Sequence, residues 1–396
     1  MKIIHTSDWH LGDVWHGFDR SDDLFRQVEQ VCRIVEEKNA EVLLVAGDVF
    51  EQISSQSKLH RITEHLANIF MPLIQNGKHI ILMPGNHDYR EYFRQMKAIL
   101  KLAPVEAERF HVVQGTEFFD IGDVQFLMIP YPSRELLAEL DPRKVSKTVN
   151  KKERNRLLSN NFSDFVQSKA EEFIDSSRPS VLTLHIQIEG VHYASSKETA
   201  SYDSDLCLVS NRLPTNVSYI ALGHIHQYHE IPHPIPCRYC GSLDKMDLGE
   251  REDEKFVLLV DIDETTRKAT VDKIRLDTSR FEDIATTAAE LEQCAENFTE
   301  RETIYGRLKI ELDTDEPRSV VKRLAHKLFP RCPQVEFTGD KVSKVNVKEF
   351  ENPNDHFSTV STYLDERFKD DKDLPELKQM AEKLIGEVKK NAFTKN

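Results

Sequence analysis

Seven residues able to ligate a metal recur at the ends of apolar runs. Asp8 and His10 follow Ile3-Ile4, and Asp48 follows Val42-Leu43-Leu44-Val45-Ala46. Asn86, with His87 and Asp88 beside it, follows Ile80-Ile81-Leu82-Met83. His185 closes Val181-Leu182-Thr183-Leu184, and His224 and His226 close Tyr219-Ile220-Ala221-Leu222-Gly223. Taken singly, an Asp after a strand caps a turn and a lone His is structural. Together, these charged and imidazole groups gather at one edge of a sheet, which is costly without a cation to hold them. Mixed Asp, Asn and His ligands favour manganese, iron or zinc over magnesium. Two such ions, bridged by one carboxylate, suit in-line hydrolysis of a phosphate ester by an activated water. Asp48 lies on the central one of the first three strands and is the natural bridge. Asp8, His10 and one of His224 and His226 complete one site; Asn86, His185 and the other complete the second. His87 is spare and is placed to hydrogen-bond the phosphate or protonate the leaving oxygen, with Asp88 orienting its ring. His5, His16, His192, His229 and His233 read as structural or exposed.

The elements that position these groups follow from periodicity. Residues 1–90 alternate strand, helix, strand, helix, strand. Leu24, Val28, Val31 and Val35, then Leu59, Ile62, Leu66 and Phe70, mark helical faces. This order predicts a parallel sheet buried on both sides, with ligands at its carboxyl edge. Glu117–Ile121 and Val124–Ile129 flank a Gly-Asp hairpin signal. Helices are predicted over 133–140 and 150–176, and strands over 180–186, 217–222, 235–240 and 255–261. The predicted fold class is thus α/β, two packed sheets flanked by helices. The large domain is expected over 1–275, a small α+β module over 276–348, and two amphipathic helices over 349–396. One helix carries Phe357, Val360, Tyr363, Leu364 and Phe368; the other carries Leu377, Met380, Leu384 and Val388, with Pro375 suited to its first turn.

Composition bounds the partners. The 396 residues are 39% hydrophobic and 30% charged, an ordinary globular balance. No apolar run is long enough for a transmembrane helix, and the N-terminus opens on a strand-like run, so neither membrane nor secretory signal is expected. Cys237 and Cys240 form the one close cysteine pair, without the second pair that zinc would need. Free cysteines and a reducing cytoplasm are expected. The net charge of −14 argues against a general nucleic-acid binder. Bound cations would offset it locally, and residues 143–156 carry seven basic residues against one Glu. That run reads as a solvated helix face or as a surface that tracks phosphates.

Five motifs follow one another along the chain: His-Thr-Ser-Asp-Trp-His-Leu-Gly (5–12), Gly-Asp-Val-Phe (47–50), Gly-Asn-His-Asp (85–88), Tyr-Ile-Ala-Leu-Gly-His-Ile-His (219–226) and Tyr-Cys-Gly-Ser (239–242). In order and spacing they resemble the calcineurin-like metallophosphoesterases. Within these, they look like the branch of double-strand-break repair nucleases typified by SbcD, the nuclease subunit of bacterial SbcCD complexes. The resemblance implies a two-sheet metallophosphoesterase sandwich with a DNA-capping module. It implies that Asp8, His10, Asp48 and His226 hold one manganese, that Asp48, Asn86, His185 and His224 hold the other, and that His87 is catalytic without being a ligand. It further implies 3′→5′ exonuclease action on duplex ends, endonuclease action on hairpins and single strands, a homodimer, and a coiled-coil ATPase partner of the SbcC type docked on the tail helices. Two positions differ: Leu184 precedes His185 where the family often has Gly, and Glu51 stands where some relatives carry His. A small-molecule or phosphoprotein phosphoesterase, and a non-catalytic adaptor for an ATPase, are the alternatives.

Overall fold

The computed structural model describes residues 1–53, 55–102, 108–141, 150–191, 206–313, 317–339, 357, 360–361, 364–365 and 374–393. Two compact units make up the chain, Met1–Thr338 and Gly339–Asn396.

The first unit is built on two six-stranded sheets. Strand β1 (Lys2–Thr6), helix α1 (Ser21–Glu37), β2 (Val42–Ala46), α2 (Gln56–Gln75), β3 (His79–Met83) and α3 (Arg90–Leu100) follow one another, and the three strands pair in parallel. Antiparallel strands Phe256–Ile262 and Ala269–Arg275 extend the β1 edge. In the second sheet, β4 (Ser180–His185) and β5 (Tyr219–Gly223) lie side by side in parallel, with Gly223 opposite His185. Side chains alternate across each strand. In β2, Val42, Leu44 and Ala46 meet Val181, Tyr219 and Phe126 of the second sheet. Leu43 and Val45 point the other way, onto Val28 and Val31 of α1 and Leu66 of α2. Helix Lys151–Phe173 covers the far side of the second sheet through Leu158, Phe162 and Val166. The result is a four-layer α/β/β/α sandwich, in which burying each such Val, Leu or Phe contributes roughly 1.5–3 kcal/mol.

Parallel register has a functional consequence. Thr6 lies opposite Val45, and Ala46 opposite Met83, so β1, β2 and β3 end level with one another. The loops that follow stay zipped together: Asp8 N–H donates to Gly47 O at 3.0 Å, and the N–H groups of Trp9 and His10 to Asp48 O at 2.8 and 3.0 Å.

A three-stranded parallel sheet (Phe281–Thr287, Tyr305–Glu311, Gln334–Thr338) closes the first unit around Ile284, Leu308, Ile310, Val321 and Phe329. It meets the sandwich through Trp15, Phe281 and Tyr305, and through Asp23, which accepts from Tyr305 Oη at 2.5 Å and Arg331 Nη1 at 2.7 Å. The first strand of this sheet went unpredicted because Phe281 and Ile284, its buried apolar residues, are three apart and do not alternate. Helix α3 was also missed, since Phe93 alone on it is fully buried.

In the second unit, helix Leu374–Phe393 contains the predicted stripe with Pro375 in its first turn. Of the other predicted tail stripe, Phe357, Val360 and Leu364 are helical and half-buried, while Tyr363 and Phe368 lie outside the described residues, as do 143–149 of the basic run. From that run, Arg154 pairs with Asp141 and Arg156 with Glu153. Cys237 and Cys240 are free, not joined to each other. Among the described residues no helix is long and apolar enough to cross a membrane.

Candidate metal centre

All seven predicted ligands converge at the carboxyl edge of the sandwich. Ligand atoms of Asp8, His10 and His226 lie within 4.8 Å of one another, and so do those of Asp48, His185 and His224. Asn86 joins the second group: its Oδ1 lies 3.1 Å from His185 Nε2 and 2.8 Å from His224 Nδ1. Asp48 faces both groups. Its Oδ2 is 3.2 Å from His185 Nε2 and 3.9 Å from His10 Nε2, while its Oδ1 accepts from the His87 N–H at 2.8 Å.

The backbone is bent to achieve this. Asp8, His10, Asp48 and His224 all have positive φ, at 52°, 46°, 49° and 103°. Such conformations are costly for residues with a Cβ and cluster where function requires them. Two glycines make the close approach possible. A Cβ on Gly47 would sit 2.0 Å from His185 Nδ1, and one on Gly85 would sit 2.1 Å from Asp48 Oδ1.

Tautomers decide whether the site fits a cation. His10 Nδ1 bonds to Glu51 Oε2 at 2.9 Å and His226 Nδ1 to Glu250 Oε1 at 3.0 Å. Carboxylates accept only, so both imidazole protons sit on Nδ1 and the two Nε2 lone pairs meet at 3.2 Å. Likewise His185 Nδ1 donates to Ala46 O at 2.8 Å, which turns its Nε2 lone pair on the oxygens of Asn86 and Asp48. Acceptors facing acceptors repel unless a proton or a metal ion lies between them. The donor set therefore fits a pair of divalent cations, with Asp48 placed between the two groups and the Glu51 and Glu250 carboxylates fixing the rings from outside.

The field in the cluster agrees. Burial pushes the His185 imidazole down, but the charge and hydrogen bond of Asp48, the Asp8 charge and the Ala46 carbonyl together outweigh it and hold its pKa up at about 9. Burial would raise the Asp48 carboxyl; His185 and His10 instead hold it well below the usual range. Burial and then the neighbouring His185 charge bring His224 down to about 3, so it stays neutral and free to ligate. Metal must displace the His185 proton to bind. Apparent metal affinity is therefore expected to climb with pH up to about 9 and level off above it. Calorimetric titration with manganese across that range checks it; a flat profile contradicts the assignment.

His87 lies at the mouth, its side chain 37% exposed, with its ring centroid 4.8 Å from that of His10. Asp88 does not play the role expected of it. Its buried carboxylate accepts from the N–H groups of Phe50, Gly85 and Val49 at 2.8, 2.8 and 3.1 Å, stapling the Asp48 and Asn86 loops together. Glu51 orients His87 instead, accepting from Nδ1 at 2.9 Å while its other oxygen holds His10. That contact is the first cause of the raised His87 pKa. Glu250 was not predicted at all. It follows its histidine by 24 residues, at the end of the short 3-10 helix Leu248–Glu250, and no periodicity marks it.

Glu250 also holds the buried Lys255 Nζ at 2.6 Å. Glu250→Gln keeps the shape but sets an amide against His226, driving the ring proton onto Nε2. Manganese affinity at the Asp8 site is expected to fall by about 10–100-fold, as measured by competition with a chelator.

The calcineurin-like phosphoesterase family model matches residues 1–228. Among curated relatives, the D component of nuclease SbcCD from Escherichia coli is 26% identical over 352 residues, covering 84% of this chain and 83% of that one. Its Bacillus subtilis counterpart is 23% identical over 274 residues, 66% of each chain. A DNA double-strand break repair protein of Aeropyrum pernix is 25% identical over 269 residues, 66% of this chain and 58% of that protein. The resemblance seen in the sequence motifs is thus matched along most of the chain.

Proposed function

Because this chain belongs to the calcineurin-like phosphoesterase family, we propose that it is the nuclease subunit of an SbcCD-like DNA repair complex. The observation that carries the reading is the two-lobed cluster that shares Asp48. In this proposal Asp8, His10, Asp48 and His226 hold one ion, and Asp48, Asn86, His185 and His224 the other, both manganese. Bound there, the ions supply Lewis acidity at the phosphate and a nucleophile drawn from water.

The chain's own residues do the rest. The glycines at 47 and 85 keep the floor of the site free of side chains, so the ligands meet. Glu51 holds the His87 proton on Nδ1 and raises the proton affinity of the ring, which favours a second proton on Nε2 for the departing oxygen. Asp88 fixes the loop that presents both Asn86 and His87.

DNA is favoured over a small substrate by extent. The family model ends at residue 228, whereas the alignment with the Escherichia coli relative spans 352 residues. A small-molecule enzyme needs neither the parallel three-stranded module nor tail helices. The proposal therefore divides the chain into a nuclease domain (1–275), a DNA-capping domain (276–348) and helices that dock an SbcC-like coiled-coil ATPase (349–396), in a cytoplasmic homodimer. Its substrates are duplex ends, cut 3′→5′, and hairpins or single strands, cut internally.

The test is cleavage of an end-labelled hairpin duplex, with manganese or magnesium, with and without the ATPase and ATP, beside bis-nitrophenyl phosphate. Manganese-dependent cutting of the hairpin supports the proposal. Hydrolysis of the small diester with intact DNA points to a small-substrate phosphoesterase, and no hydrolysis of either points to an adaptor.

A further inference from the structure

A second cleft adjoins the metal cluster. Phe50, Ile53, Tyr89 and Tyr92 give it apolar walls, Glu51 and Gln95 add polar groups, and its volume is about 150 Å³. A cavity of that order is large enough for a single aromatic ring such as benzene. Resting on the nuclease reading, we propose that this cleft takes the base of an unpaired nucleotide beside the phosphate that is cut.

Three features support that occupant. The first is the aromatic wall. Tyr89 is 57% exposed, yet it occupies the N-cap position of α3, so its backbone is fixed while its ring faces water. Tyr92 is held from two sides: its hydroxyl bonds to Thr63 Oγ1, and its ring stands edge-on to Phe50 at 5.2 Å and 80°. A fixed aromatic surface beside water is what an unpaired base stacks on, whatever its sequence. The second is continuity with the chemistry. Glu51 lines the cleft and also accepts from His10 and His87, each at 2.9 Å. One side chain thus separates the cleft from His87, a separation suited to neighbouring parts of one nucleotide. The third is charge. On helix α3, Arg94 pairs with Glu91 and Lys97 with Glu117, so the positive excess beside the cleft is Arg90, next to Tyr89 and bonded to the Tyr131 carbonyl, in a chain whose net charge is −14. The phosphates that flank a bound base need such an excess.

The cleft accepts a base only when it is unpaired. A paired base is stacked within the duplex and must be extruded before an enzyme can hold it. The inference therefore adds a preference: among phosphodiesters, those next to an unpaired base are cut fastest.

The test uses the full-length chain with manganese and single-stranded oligonucleotides in which one abasic site is stepped through the positions around the cut. One position should matter. There the missing base should lower kcat/KM by about five- to a hundredfold, the range that one stacked base supplies. Tyr89→Ala should show that loss with the intact oligonucleotide and no further loss with the abasic one, while Tyr89→Trp should behave as the wild type. A 2-aminopurine placed at that position and bound in EDTA, where nothing is cut, should be quenched by the wild type and Tyr89→Trp but not by Tyr89→Ala. An abasic penalty of equal size in the wild type and Tyr89→Ala, or no penalty at any position, overturns the proposal. If the wild type hydrolyses bis-nitrophenyl phosphate but cuts no oligonucleotide, the nuclease reading itself fails and the cleft proposal falls with it.

Discussion

Asp48→Asn is expected to disassemble the metal centre while leaving the sandwich folded. The substitution keeps the side chain's shape but removes the one charge that both ligand groups share. Asp48 Oδ2 lies 3.2 Å from His185 Nε2 and 3.9 Å from His10 Nε2, and the amide would turn its NH₂ or its neutral oxygen on them. Proton affinity at His185 should drop, because Asp48, through its charge and hydrogen bond, is the largest of the groups that oppose burial there. Metal content, measured by mass spectrometry after gel filtration, should fall below two ions per chain. Lewis-acid stabilisation by bound metal ions is worth several kcal/mol in the transition state. A loss of about 4 kcal/mol is roughly a thousandfold in rate, read on bis-nitrophenyl phosphate. Two retained ions and an unchanged rate would remove Asp48 from the centre.

His87→Ala should separate catalysis from metal binding. The ring is partly exposed and stands beside His10 and Asp48 without a hydrogen bond to either side chain, and Glu51 keeps its bond to His10 when His87 is lost. Metal content and melting temperature should stay at wild-type values. The rate should fall by about 10²–10⁴-fold, the usual contribution of a positioned general acid. Loss of metal in this variant would make His87 a ligand; an unchanged rate would deny it any part in proton transfer.

Much of the site was legible because strand ends are legible. Short apolar runs that stop at Gly-Asp, Gly-Asn-His and Gly-His-Ile-His mark the candidate ligands, and parallel pairing of β1, β2 and β3 brings their ends level. What the sequence did not show is what lies behind the ligands. Glu250 reaches His226 from a short 3-10 helix 24 residues further on, and the Ala46 carbonyl that fixes His185 belongs to a residue whose side chain carries no signal. Asp88 was misread for a related reason. Adjacency in sequence suggested His87 as its partner, yet the tight turn aims its carboxylate back at three backbone N–H groups. Glu51 was noted only as a departure from relatives; its two oxygens, one on each of two histidines, emerge only once both loops are folded together. The small parallel sheet was half visible, because Leu308, Ile310 and Leu312 alternate whereas Phe281 and Ile284 do not.

Anomalous diffraction at the manganese edge, from crystals of the full chain grown with that ion, tests the central claim most directly. Two peaks should appear, one among Asp8, His10 and His226 and one among Asn86, His185 and His224, with Asp48 in contact with both. A single peak, or none within reach of the Asp48 carboxylate, would contradict the account.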